Sequence, residues 1–492
     1  MSWSVSESFR GLLVIGSVVV GMAATRGAEI SWITTTGSFT TGSNWSSGTV
    51  PTVGDVALIA NGGEATLTLP GGAAVEGPQM ALGRDGSGTL LIEGSGSVTV
   101  AGPAFVGTTT VDSPTAGLGT LSIGSGTSIT VLGGGDSLVG GGAGAVGGTG
   151  TITIASGGEL IFNGSGRKFT VGDTVAGNTS AGEIEVAGTL TVTAGELEIG
   201  RGQGGGGTGT GTLTIVDGAV VTTNDWTKFG AKPFGGDGGG GLGRLVISGG
   251  TFNKLGGGRL VFGDYQATGE AVQTGGLVNV AGGEGVNVGA FGVEGIGTYT
   301  LSAGTLAVDG GALSIGRQNG QGTFTMTGGL VQKTGTGDLE IGEGGQGVGT
   351  MSITGGLVEV QGGEVAVGKY GGTGTLTIGG TGTLRAGPVV MSKLGASLTA
   401  TINLDAGGRL EASRVTAADI FAYTEFNFNG GRLVATGNAT SFMSGVTVAN
   451  LNATTVIDSQ AFTLTMPQAL AGTAGLTKEG SGTLALTGAG SY

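Results

Sequence analysis

The chain of 492 residues contains no cysteine and no histidine. Without cysteine it cannot form disulfides, and without either residue it cannot build a Cys/His zinc site. The absence of histidine also excludes Ser–His–Asp and Cys–His nucleophilic catalysis. Stability must therefore come from packing and hydrogen bonding rather than from covalent or metal cross-links.

Positive charge is scarce as well. The chain has 20 Lys and Arg residues against 34 Asp and Glu residues, which gives a formal net charge of −14. Proteins that bind nucleic acid present a basic patch or stripe, and anionic membrane surfaces attract basic segments. We therefore expect no nucleic-acid partner and no anionic membrane surface as a partner.

Long apolar runs are confined to the N-terminus. Arg10 ends a short polar region, Gly11–Val20 is apolar, and Gly21–Ala24 offers small residues for cleavage. This stretch is shorter than the roughly 20 residues that a membrane-spanning helix needs. Residues 1–24 are therefore predicted to be a secretory signal peptide rather than a weakly hydrophobic anchor. We expect no transmembrane helix in the mature chain.

Glycine, in contrast, is abundant, with 116 residues. The glycines separate short runs of Leu, Ile, Val and Thr, and the pattern Gly-Thr-Leu-x-Ile recurs with starts 25 to 32 residues apart. The starts are Gly88, Gly119, Gly150, Gly182, Gly211, Gly243, Gly269, Gly297, Gly322, Gly349 and Gly374. Periods of roughly 20 to 50 residues indicate solenoids, propellers or other repeat arrays.

Each repeat contains three short runs with period-2 alternation, which predicts strands with one apolar face. In the copy at Gly349 they are Thr350–Ile353, Leu357–Val360 and Glu364–Gly368. A propeller blade needs four strands and about 40–45 residues, and the hairpin turns of a sandwich are missing. We predict an all-β fold, a right-handed parallel β-solenoid (β-helix) with three short strands per coil.

The domain organisation follows from where this pattern begins and loosens. Residues 29–80 are predicted to be an N-terminal capping module, because exposed solenoid ends invite aggregation and Trp32 and Trp45 can close the apolar core. Residues 81–394 hold the regular repeats. Residues 395–492 are predicted to form irregular C-terminal coils.

The segment Gly475–Gly488 resembles the autotransporter-associated β-strand repeat, whose motif reads Gly-Leu-Thr-Lys-x-Gly-x-Gly-Thr-Leu-x-Leu-x-Gly. Trp45–Pro51 resembles part of the N-terminal module of glycine-rich extracellular repeat proteins. The resemblance implies a pectin-lyase-like passenger, secreted or displayed on the bacterial cell surface or outer membrane. No barrel or sorting tail precedes Tyr492, which leaves open a fragment with an outer-membrane translocator, free secretion or another anchor.

Catalysis on a β-helix would require carboxylates that converge on one face. Aspartates are scattered and form no Asp-Asp or Asp-x-Asp pair in the repeats; those weighed are Asp85, Asp136, Asp173, Asp217, Asp264 and Asp309. The stretch Gly133–Gly141 around Asp136 is a weak calcium motif, because it does not repeat. The Gly-x-Gly-x-x-Gly match at Gly202, Gly204 and Gly207 has no βαβ context. We expect no enzyme, no cofactor and no metal site.

Two further sets of residues follow the third strand of successive repeats. Charged residues recur there as Arg84, Asp173, Arg201, Asp264, Arg317, Glu343 and Lys369. They would stack either as a ligand-binding ridge or as a solvated turn of alternating charge, and we favour the solvated turn. Aromatic residues nearby are Phe229, Phe234, Tyr265, Phe291 and Tyr370. They could stack on sugar rings, although packing in the core or turns is commoner.

These observations predict a secreted or surface-displayed structural or adhesive protein without catalytic chemistry. Its expected partners are cell-surface glycans or extracellular matrix. The alternative is a polysaccharide-active or carbohydrate-binding β-helix, and a third hypothesis is calcium-dependent folding. Because the early repeats are longer, a specific site is expected in their turns, between Gly102 and Gly243.

Overall fold

The computed structural model describes residues 27–111, 113–142, 146–175, 178–203, 207–232, 239–292, 295–394, 399–419 and 421–491. Within these ranges the chain is an all-β parallel solenoid of about 15 turns. The predicted signal peptide and Phe234 lie outside the described residues. One 3₁₀ turn, Gly42–Asn44, interrupts the β-structure. None of the described segments forms a helix long and apolar enough to cross a membrane.

The strands stack into three parallel ladders, which we call first, second and third after their order in each repeat. Over most of the stack each strand pairs with the third strand after it along the chain, as three strands per coil would require. The handedness of the coil stays a prediction.

The first ladder contains β2 Thr36–Ser38, β8 Leu118–Ile123, β11 Thr149–Ile154, β13 Thr179–Val186, β15 Thr208–Ile215, β18 Leu242–Ile247, β21 Thr268–Gln273, β24 Ile296–Leu301, β27 Gln321–Met326, β30 Val348–Ile353, β33 Thr373–Ile378, β36 Thr399–Asp405, β39 Tyr423–Asn429, β42 Val448–Ala453 and β45 Ala471–Gly472. The second contains β4 Ala74–Gly77, β6 Ser97–Val100, β9 Ser128–Leu132, β16 Val220–Thr223, β19 Thr251–Lys254, β22 Leu277–Ala281, β25 Thr305–Asp309, β28 Leu330–Thr334, β31 Leu357–Val360, β34 Thr383–Arg385, β37 Arg409–Ala412, β40 Arg432–Ala435, β43 Thr455–Asp458 and β46 Leu476–Glu479.

The third contains β1 Glu29–Ser31, β7 Ala104–Thr109, β10 Ser137–Gly142, β17 Thr227–Ala231, β20 Leu260–Asp264, β23 Gly285–Ala290, β26 Ala312–Arg317, β29 Leu339–Glu343, β32 Val365–Lys369, β35 Pro388–Lys393, β38 Arg414–Ala417 and β41 Met443–Ser444. Four long strands turn a corner and serve two ladders: β3 Val56–Leu69, β5 Gln79–Gly94, β12 Glu159–Val175 and β14 Thr189–Gln203. A separate pair is formed by β44 Thr463–Met466 and β47 Thr483–Leu486.

The predicted repeat starts occupy one row of the first ladder. Gly88 pairs with Gly119, Gly119 with Gly150, and the row continues glycine by glycine to Gly374. The period found in the sequence is therefore the structural period, and the predicted parallel β-solenoid is confirmed.

Steric crowding at the corner between the third and first ladders explains these glycines. A Cβ atom on Gly322 would lie 2.1 Å from the Val288 carbonyl oxygen and 2.2 Å from the amide nitrogen of Gly316. Gly316 itself has φ +70°, which disfavours any side chain. Two backbone segments therefore pass too close at this corner for any larger residue.

The core is one apolar column inside the three ladders. Stacked rings contribute to it, as where Phe229 and Phe262 lie 5.1 Å apart with nearly parallel planes. At the N-terminal end Trp32 and Trp45 are buried and meet edge to face at 5.0 Å. The large rings thus lie where the predicted capping module meets the stack.

Toward the C-terminus the ladders continue beyond the regular repeats. Gly374 pairs with Ala400, and Ala400 pairs with Thr424. The segment Gly475–Gly488 forms β46 and β47, with a turn at Gly480, φ +80°. This stretch therefore adds strands to the last turn of the stack.

Candidate functional site

The third ladder differs from the first because its strands are buried on both sides. Every residue of β20, β29 and β32 is buried, whereas the strands of the first ladder alternate between buried and accessible positions. The outward side chains of the third ladder are thus covered by neighbouring turns. They form one row along the stack, beside which separate cavities lie, and we call this row with its cavities the third-ladder groove.

This row changes in chemistry along its length. In register, it consists of Ala81, Phe105, Leu138, Thr170, Glu198, Lys228, Val261, Asn287, Ser314, Glu340, Ala366 and Val390. Apolar side chains predominate at the N-terminal end, and charged side chains lie in the middle. Any ligand lying along the groove would therefore meet different chemistry from coil to coil.

The charged residues after the third strand stack in register, as their spacing predicted. Asp173 pairs with Arg201, and Arg317 pairs with Glu343, which pairs with Lys369. The favoured interpretation as a solvated turn is wrong, however, because Asp173, Glu343 and Lys369 are buried beside the groove. Charges in such a place require partners, since an unpaired buried charge is costly.

Arg84 lies apart from the other charged residues, against Glu29 at the N-terminal end. A cavity of about 800 Å³ lies there, lined by Arg84, Phe105, Leu138 and Asp136 among others. Asp136, the centre of the weak calcium motif, accepts the backbone N–H of Lys168 at 3.0 Å. In the described part of the chain no three acidic side chains are close enough to hold a metal ion.

The middle of the groove gathers the densest charged cluster. Lys228 Nζ lies 3.5 Å from Asp264 Oδ2 and 3.8 Å from Glu196 Oε2 and Glu198 Oε1. Lys168 Nζ donates to Glu198 Oε1 at 2.6 Å. The three carboxylates come from two coils, Glu196 and Glu198 from β14 and Asp264 from β20, and converge on one ammonium group. The scattered positions of the aspartates along the chain do not indicate this convergence.

The environments of these carboxylates push their pKa values apart. Burial alone would raise the pKa of Glu198, but Arg201, Lys168 and Lys228 outweigh burial and hold that pKa below its ordinary value. Burial raises the pKa of Asp264 to about 6, although Lys228 opposes the shift. Asp264 is 3% exposed, and its Oδ1 has no hydrogen-bond partner. An unsatisfied acceptor therefore lies just beneath the surface of the groove.

Aromatic rings flank this cluster on both sides. Trp226 precedes β17 on one side, and Tyr265 and Phe291 follow their strands on the other, with centroids 6.2 Å apart. Together with Lys168, Glu196, Glu198, Lys228, Lys232 and Asp264 they line a cavity of about 360 Å³. Tyr265 and Phe291 have φ of +55° and +54°, a strained conformation for residues with bulky side chains. The same conformation recurs in register at Gln318, Tyr370 and Leu394, so it belongs to the turn after the third strand.

Part of this site could be predicted from the sequence. Asp264, Tyr265 and Phe291 belong to it, while Phe229 lies in the core and Tyr370 lies further along, beside Lys369. No sequence pattern indicated the remaining residues, whose common feature is an outward or turn position in or next to β12, β14 or β17: Lys168, Glu196, Glu198, Trp226, Lys228 and Lys232. The predicted region between Gly102 and Gly243 supplies most of the cavity wall but not Asp264, Tyr265 or Phe291.

A second charged cluster lies further along the groove. Lys369 Nζ contacts Glu340 Oε1 at 2.5 Å and Asp338 Oδ2 at 3.1 Å, and Lys393 Nζ contacts the same Asp338 oxygen at 3.0 Å. Ser314 Oγ donates to Glu340 Oε2 at 2.5 Å. Most of its charged atoms are thus engaged with each other, in contrast to Asp264 Oδ1.

Comparison of the chain with protein-family models, with curated proteins and with solved structures finds no match. Inference about function therefore depends on the parallel β-solenoid and on the side chains that line the third-ladder groove.

Proposed function

We propose that this chain is a secreted or surface-displayed, non-catalytic β-solenoid that adheres to polysaccharide through the third-ladder groove. The solenoid serves as the scaffold, and the cavity around Asp264 is the principal contact for a sugar unit. Free hydroxyl groups on the glycan supply both donors and acceptors. The ligand class is a glycan presented on a cell surface or in an extracellular matrix.

The observation that carries the proposal is the cavity in which Lys228 and Asp264 lie between aromatic walls. Asp264 Oδ1 has no partner within the protein and is covered, so it accepts from a sugar hydroxyl only when the side chain turns toward the cavity. The Lys228 ammonium lies 5.4 Å from the centroid of the Trp226 ring and can donate to another hydroxyl. The C–H face of a pyranose ring packs on rings such as Trp226 and Tyr265, and a few polar groups fix its orientation.

Display outside the cell is part of the same proposal. Support comes from the predicted signal peptide at residues 1–24 and from the resemblance of Gly475–Gly488 to the autotransporter-associated repeat. We also propose that the chain belongs to the autotransporter-associated repeat family. The match covers only Gly475–Gly488, but most of its motif positions agree. An outer-membrane translocator would be the corresponding partner.

Binding is tested on an array of bacterial and plant polysaccharides, followed by calorimetry with the best glycan. We expect Trp226→Ala to weaken binding by at least about tenfold, since aromatic anchors dominate such contacts. Phe421→Ala is the matched control, because Phe421 is 87% exposed and does not line the cavity. Absence of binding to every glycan, or equal binding by Trp226→Ala, would contradict the proposal.

A second candidate function is glycoside hydrolysis, favoured by the divergent pKa values of Asp264 and Glu198. A protonated carboxyl beside an ionised one is the arrangement that such hydrolysis uses. Incubation of the chain with the bound glycan distinguishes the two functions. Release of reducing sugar that Asp264→Asn abolishes would establish the enzyme, whereas binding without release supports adhesion.

A further inference from the structure

The outward side of the first ladder carries an ordered array of hydroxyl groups. Between β24 and β36 two neighbouring rows are filled almost entirely by threonine. The first row is Thr298, Thr323, Thr350, Thr375 and Thr401, and the second is Thr300, Thr325, Ser352 and Thr377. We call these residues the hydroxyl face. Its strands are in register without a bulge.

The hydroxyl face is uncharged and accessible. Its side chains are exposed or half-buried, and each alternates with a buried core residue. Charged residues occupy the same rows only outside these coils, as Arg244 and Glu270 do on one side and Glu425 on the other. Charge is the usual means of keeping a β-surface soluble, so its absence over five successive coils calls for a reason.

The hydroxyl groups of this face are largely free to bind water. Asn403 Nδ2 donates to Thr377 Oγ1 at 3.3 Å. Among the described residues no other side-chain hydrogen bond engages the hydroxyl face. A hydroxyl offers one donor and two acceptor sites. Threonine is also stiff about χ1, because its β-carbon is branched. The hydroxyls are therefore both unsatisfied and held in place.

Strand geometry sets the spacing of this array. Neighbouring strands lie about 4.8 Å apart, and alternate residues along a strand lie roughly 6.6 Å apart. The resulting rectangular lattice is close in size to the two repeats on the prism face of hexagonal ice, and the match is better along the ladder than along the strand. Water bound to such a lattice is expected to be arranged much as in the crystal.

Threonine is also favoured in strands for its shape alone, and that preference would scatter it over all outward positions. The second ladder of the same coils instead presents Ala307, Gln332 and Glu359 in one outward row. The concentration of hydroxyls in two adjacent rows is therefore not explained by strand propensity. We propose that the hydroxyl face binds ice, as an activity separate from the glycan groove.

The experiment measures adsorption of the fluorescently labelled chain to a single ice crystal and the growth rate of ice grains in a frozen sucrose solution. We expect the chain to adsorb and to slow grain growth where albumin at equal mass does not. Thr325→Lys places a charge within the hydroxyl face, on β27. The concentration of protein needed to slow grain growth should rise by about tenfold or more, because an ammonium group held against ice has no partner. Gln332→Lys is the matched control, since Gln332 is also half-buried and outward but lies on the second ladder.

Circular dichroism and gel filtration establish that both variants fold as the parent does. No adsorption by the parent chain, or equal adsorption by Thr325→Lys, would overturn the proposal. Dimerisation of the parent that Thr325→Lys abolishes would also overturn it, since a second copy would then cover the face. Glycan binding by the groove is unaffected in each of these outcomes, so the two proposals fail separately.

Discussion

The third-ladder groove and the hydroxyl face are built from strands of the same coils, yet their outward positions have opposite environments. Glu198, in the third-ladder groove, is 2% exposed and contacts three cationic side chains. Glu183, in an outward position of the first ladder of the same coil, is exposed. Period-2 alternation determines which side chains enter the core. The side chains around each outward position determine whether it reaches water.

The largest loss of stability, and the clearest difference between the two regions, is expected from Glu198→Ala. Removal of this carboxylate takes the shared partner from Lys168, Arg201 and Lys228, and each of them keeps a second carboxylate. Breaking a buried ion pair costs about 3–5 kcal/mol when it leaves a charge uncompensated, so the lower end, about 3 kcal/mol, is expected here. The free energy of unfolding should fall by about that amount, measured from the midpoint of urea unfolding and from local hydrogen exchange around β14.

Glu183→Ala is the control for this prediction, because the same residue type is deleted at an exposed position of the same coil. Surface changes of this kind stay within about 0.5 kcal/mol. If both variants lost the same stability, the distinction between a buried groove and a solvated face would be wrong.

The next largest loss of stability is expected at the corner between the third and first ladders. Gly322→Ala places a methyl group 2.1 Å from the Val288 carbonyl oxygen, so backbone must move. Overpacking of this kind costs up to about 3 kcal/mol. Gly134→Ala is the comparison, since its added Cβ would meet nothing within 4 Å. That change should be neutral or slightly stabilising in the same urea titration.

A smaller effect, confined to a pH window, is expected from Asp264→Asn. Burial raises the pKa of Asp264 from 3.8 to about 6, so the folded chain binds this proton more tightly than the unfolded chain. Asp264 therefore contributes stability below pH 4 that is lost as the pH rises through about 6. The variant lacks this loss and should gain about 2–3 kcal/mol over the parent between pH 4 and pH 7.

Thermal unfolding of both chains across this range measures the difference. A constant difference between the curves from pH 4 to pH 7 would mean that Asp264 titrates normally and is not desolvated in the groove. Glu198, whose pKa is shifted downward, acts in the opposite direction but is common to both chains.

The sequence predicted the fold well because the fold is periodic. The glycine at each repeat start is required by a close approach of two backbone segments, so its spacing reports the coil directly. The site was less visible, because Glu196, Glu198, Lys228 and Asp264 are brought together from three coils. Their association depends on register and on the depth of the groove, neither of which appears in a local pattern. Asp264 was noted only as one charge in a row, and Trp226 had no motif.

The smallest change in stability is expected for a substitution in the hydroxyl face. Thr325→Val keeps the shape and the strand preference of threonine but deletes one hydroxyl of the hydroxyl face. Because this hydroxyl has no hydrogen-bond partner among the described residues, the free energy of unfolding should change by less than about 0.5 kcal/mol. Ser314→Ala, in the third ladder of the preceding coil, removes a buried donor to Glu340 and should cost about 1–3 kcal/mol. Urea titration of the two variants side by side gives the difference, and a Thr325→Val loss as large as that of Ser314→Ala would mean that the hydroxyl face is structural rather than available to a ligand.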